Sequence, residues 1–139
     1  MSSFKKAAGS LLLVASAFVC LPSSAADKLS GSDASMLKTI AQSNMAEIES
    51  AKIALDKSQN AEIRKFAQMM VEDHTQGLTD TQRVASAKGV ELPDGLDVKH
   101  KAIGLELKAL SGNAFDSQYL KRSGLGDHET TEKLLKKTQ

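Results

Sequence analysis

From Asn60 to Gly89 the sequence reads as one long amphipathic helix, and such a helix needs partners along its whole apolar stripe. Asn60 is a capping residue, Glu62 suits the first turn, and Gly89 is a left-handed stop. At about 100° per residue from Ile63, Phe66 falls near −60°, Ala67 near +40° and Met70 near −20°. Leu78, Thr81 and Ala85 fall at about +60°, 0° and +40°. His74 lands at about +20°, inside the stripe; Asp73 sits at its edge, near −80°, and Glu72 at the back, near 180°. A titratable ring therefore faces whatever this helix packs on, with a carboxylate at its shoulder.

The remaining segments supply those partners. Ser32 or Asp33 is expected to cap a first helix running to about Asp56, with a stripe of Leu37, Ile40, Ala41, Ile48, Ala51 and Leu55. Asn44 lies inside that stripe; Glu47 lies on its flank and Glu49 faces away. The link Lys57-Ser58-Gln59 is short, so the first two helices should pair antiparallel. After Gly89 comes a loop holding Pro93 and Gly95, and Asp97 then caps a shorter helix with His100, Ile103, Leu107 and Leu110 at regular spacing. Ser111-Gly112 ends it, and a last helix runs from about Ala114. No stretch alternates with period two, so the expected class is an all-α, up-down bundle of three long helices and one short one.

The first 26 residues stand apart. Lys5 and Lys6 precede an apolar run, Ala7 to Leu21, and Ser24 and Ala26 make a small-x-small cleavage site. The expectation is a signal peptide, a bundle domain over 27–139, and a periplasmic or otherwise exported product. The apolar run is too short for a stable membrane span. Cleavage at Asp27 would remove Lys5 and Lys6 from the 18 basic residues and none of the 17 acidic ones, leaving a net charge of −1. No basic field remains to hold nucleic acid. Cys20, the only cysteine, leaves with the leader, so neither a disulfide nor a thiolate metal site is available. Phe66, Phe115 and Tyr119 are the only aromatics after it, so aliphatic residues must build most of a thin core.

The end of the chain echoes the second helix. Phe66 precedes His74 by eight residues and Tyr119 precedes His128 by nine, each histidine following an aspartate. A break or π-bulge within Ser123-Gly124-Leu125-Gly126 would absorb the extra residue; otherwise the echo is chance.

The segments "MAEIESAKIAL", "IRKFAQMMVEDHTQ", "KGVELPDGLD" and "LKALSGNAFDSQYL" resemble the exported bacterial proteins of domain-of-unknown-function family 4142, placed in the ferritin-like superfamily. The resemblance covers about Met36 to Leu135. It implies a ferritin-like helical bundle in which Glu47, Asp73, His74, Asp127 and His128 match the family's polar positions. The family's pattern runs on into a further helix with another histidine, so the bundle is expected to be incomplete at its C-terminal end.

Those residues suggest metal chemistry, with a bland alternative beside it. Ferritin-like iron sites pair glutamates with Glu-x-x-His, because hard cations take carboxylates and imidazole sets geometry. Val71 and Leu125 occupy the positions where those glutamates would stand, which argues against a di-iron centre. A looser site from Glu47, His74 and His128 remains open, as does a core His74 hydrogen-bonded to Asn44 or a carboxylate. His100 reads as a surface or packing residue, and Met69 and Met70 as gap-fillers. No nucleophile–base set or phosphate loop is present, so no catalysis and no cofactor are expected. The function expected is a non-catalytic interaction or envelope-stress module, with metal binding by the histidine face as the alternative. Helices of about 25 residues run roughly 38 Å, more than the short helix covers. The stripe with Met70, His74 and Leu78 should stay partly open to a second copy or a helix-donating protein.

Overall fold

The computed structural model describes residues 28–122 and residue 136; the expected leader, Asp127 and His128 lie outside them. Four helices follow one another: α1 (Gly31–Lys57), α2 (Ala61–Lys88), α3 (Val98–Ala109) and α4 (Gly112–Tyr119). Among the described residues no strand occurs, and no helix is long and apolar enough to cross a membrane. The all-α class is as the periodicity predicts, and a ferritin-like bundle fits the arrangement.

Local chemistry sets the boundaries. The Asn60 side chain accepts from the backbone N–H of Glu62 and Ile63, satisfying two donors that open α2. Gly89, at φ 66°, closes α2, and the next N–H, of Val90, reaches back to Ala85 O at 2.8 Å. Asp97 caps α3 by accepting from His100 N at 2.9 Å. Two expected boundaries move. Ser30, rather than Ser32 or Asp33, caps α1 by accepting from Asp33 N. Gly112 opens α4 two residues before Ala114, because its φ of 56° turns the chain straight out of α3.

Beyond Tyr119 the helix widens into a π turn over 120–122. The break or π-bulge expected within 123–126 lies outside the described residues.

α1 and α2 form an antiparallel hairpin. The Arg64 guanidinium donates to Leu55 O near the turn, and Asn44 meets His74 farther along. α1 is the central helix and touches α2, α3 and α4, whereas α2 packs chiefly on α1. Its buried positions therefore spread beyond one stripe: Glu47 and Ser50 are buried along with Ala41, Ala51 and Ala54, while Ile48 is half-buried. This corrects the flank position expected for Glu47.

The small alanines allow close helix approach, and α4 supplies the bulk. Phe115 and Tyr119 are both fully buried, and Tyr119 packs its ring against Phe66 with centroids 6.1 Å apart. Gln42 fastens the long loop by donating to Gly95 O at 2.7 Å and accepting from Asp97 N at 2.9 Å. Lys57 holds the other end of α3 by donating to Lys108 O at 2.9 Å.

Candidate functional site

The polar residues turned inward converge where α1, α2 and α4 meet. Asn44 and Glu47 lie three apart on α1 and so share a face. The Asn44 amide nitrogen donates to Ile40 O at 2.9 Å, which turns its oxygen toward α2. There His74 Nδ1 lies 3.0 Å from Asn44 Oδ1. An amide oxygen only accepts, so Nδ1 carries the proton, and in the neutral ring Nε2 is the acceptor. The expected position of His74 beside Asn44 is thus what the structure shows, with the ring half-buried.

Gly77, one turn after His74, makes room for this bond. A Cβ there would lie 2.7 Å from Asn44 Oδ1, too close for either atom to stay in place. The glycine had no role in the periodic pattern. The signal was available: an isolated glycine inside a strong helix costs about 1 kcal/mol and usually has a packing reason.

Glu47 is 1 % exposed. Its charge reaches Tyr119, whose phenol is driven well above its usual range, first by burial and then by this carboxylate. Tyr119 therefore stays protonated and is a donor, although its hydroxyl has no hydrogen-bond partner among the described residues. In the sequence Tyr119 stands out only as one of three aromatics. The α4 helix makes it the third wall of this cluster, and helical periodicity within one segment does not reveal contacts between segments.

The other expected ligands do not assemble here. Asp73 is exposed on α2. Asp127 and His128 lie outside the described residues. Among the described residues no group of three or more His, Cys, Asp or Glu side chains is placed to hold a metal ion. Met70 is closed off at 3 % exposure, so the opening expected along its stripe is confined to half-buried His74 and Leu78. His100 is buried, its Nδ1 2.8 Å from Asp97 Oδ1, and serves packing and the start of α3.

The outer surface carries a different feature. Val98 is 84 % and Leu105 69 % exposed, seven residues apart on one face of α3. Beside Leu105 lies a cavity of about 300 Å³, lined also by Leu96, His100, Gly104, Lys101, Lys108 and Glu49.

One family's sequence model matches residues 19–139, and its description is "Domain of unknown function (DUF4142)". No curated protein and no solved structure matches the chain. The match spans nearly the whole sequence, so the chain belongs to the DUF4142 family.

Proposed function

We propose that this protein is an exported, non-catalytic interaction module, which presents a helical surface to another component of the bacterial envelope. The observation that carries this is the outer face of α3, where Val98 and Leu105 stand in water at 84 % and 69 % exposure. A small domain that keeps large aliphatic groups outside a thin core gives up burial, and grouped groups of this kind mark contact sites. The inner cluster is read as part of the fold, since the Asn44 amide already satisfies His74 Nδ1.

A photo-crosslinking residue at position 105, in cells, tests this. It should capture an envelope component that the same probe at the exposed Lys52 of α1 does not. Equal capture at both positions would refute the reading.

Cation binding is the second reading. Asn44 fixes the His74 ring so that Nε2 is the acceptor, the arrangement by which a carbonyl orients a ligating histidine, and Glu47 is buried on the same face of α1 as Asn44. Near-stoichiometric iron, zinc or copper retained by the purified protein through dialysis would favour it over the first.

A further inference from the structure

We propose that α3 docks this protein onto an anionic phospholipid surface, through the ridge of Val98 and Leu105 and the lysines beside it; this rests on the interaction-module reading. α3 has two apolar faces. Gly104 and Leu107 are buried against the bundle. Val98, Ala102, Leu105 and Ala109 are exposed and fall within about 60° of one another on the opposite side. A single exposed leucine needs no explanation, but four consecutive positions of one face do.

The charge around the ridge suits a negative partner. Lys101 and Lys108 flank Leu105 at the mouth of the 300 Å³ cavity. Lys101 forms no ion pair among the described residues, and Lys108 keeps 56 % of its side chain exposed while bridging Glu49 at 3.1 Å. The acids nearby are already engaged: Asp97 by His100, and Glu106 by Gln118 and Arg122. The positive excess is small, so the attraction should be modest and salt-sensitive.

Shape separates a lipid surface from a partner helix. α3 offers a convex ridge, which a partner helix would have to meet with a groove of its own, whereas a lipid interface yields to it. A helix of 12 residues, about 18 Å long, lies flat with its aliphatic side chains at the acyl boundary and its lysines at the phosphates. The proposed contact is peripheral: α3 lies on the surface and does not enter the bilayer core.

Cosedimentation of the purified protein with phosphatidylglycerol vesicles, against phosphatidylcholine vesicles, tests the proposal. Binding is expected to the former and to fall as salt rises. Leu105→Glu should weaken it roughly tenfold or more, as loss of one buried leucine implies. Lys101→Glu should weaken it less, and the exposed Lys52→Glu on α1 should not. Unchanged helical circular dichroism would show that these surface variants remain folded. Absent binding, equal binding to both lipids, or full binding by Leu105→Glu would overturn the proposal. So would light scattering that shows a dimer abolished by Leu105→Glu, since a second copy would then be the occupant. If the vesicles fail while position 105 still crosslinks selectively to a protein, the lipid inference falls and the interaction reading stands; failure of both removes the reading as well.

Discussion

Replacing Gly77 with alanine sets two effects of known size against each other. Alanine in mid-helix is favoured over glycine by about 1 kcal/mol, so an unencumbered site would gain stability. Here the new Cβ would lie 2.7 Å from Asn44 Oδ1 and 3.4 Å from its Cγ. Asn44 is 8 % exposed and held by two bonds, to Ile40 O and His74 Nδ1. Moving the amide aside breaks the His74 bond, and leaving a buried polar group unpaired costs about 1–3 kcal/mol. The net expectation for Gly77→Ala is a loss of about 0–2 kcal/mol, read by urea denaturation. In an Asn44→Ala background the clash is gone, and Gly77→Ala should stabilise by about 1 kcal/mol. The two substitutions should therefore couple by about 1–3 kcal/mol in the cycle. A full helix-propensity gain from Gly77→Ala in the otherwise unaltered protein would refute the packing assigned to this glycine.

Tyr119 is the only tyrosine and there is no tryptophan, so the near-ultraviolet absorbance of tyrosinate reports that one group. Its phenol is raised in the folded state, so the stability it contributes is intact below the unfolded value near 10 and is lost as pH climbs above it. Ionisation should therefore coincide with unfolding; a Tyr119 that titrates normally while the helices persist would contradict its burial beside Glu47. Tyr119→Phe removes a hydroxyl that has no partner among the described residues, and should hold or raise the melting temperature rather than lower it. Asp97→Ala should cost about 1 kcal/mol through loss of the α3 cap. Because the His100 N–H holds the Asp97 carboxyl below its usual range, the same contribution should fade as pH falls through that lowered value, and a stability profile flat into acid would count against it.

Helix ends were legible because their causes are local. Asn60, Gly89 and Asp97 act on backbone groups two to five residues away, and all three do so as the sequence suggests. The inner face of α1 was less legible. A single stripe assumes one neighbour, but α1 is packed by three helices, so its buried arc takes in Glu47 while Ile48 is only half-buried. The placement of His74 against Asn44 was legible because both lie mid-stripe on helices joined by a short link. The role of Gly77 and the arrival of Tyr119 were not, since both depend on distances between helices. The exposed ridge of α3 is not legible in the sequence, because the apolar spacing of His100, Ile103 and Leu107 already accounts for that helix.

If the polar cluster between α1, α2 and α4 is part of the fold, as proposed above, removing His74 should cost stability whether or not metal is present. Thermal unfolding of His74→Ala, measured beside the unaltered protein in chelator and again with iron or zinc, addresses it directly. A loss of about 1–3 kcal/mol, of equal size in both conditions, is expected from the broken bond to Asn44. A loss that appears only when metal is present would contradict it and make His74 a ligand first.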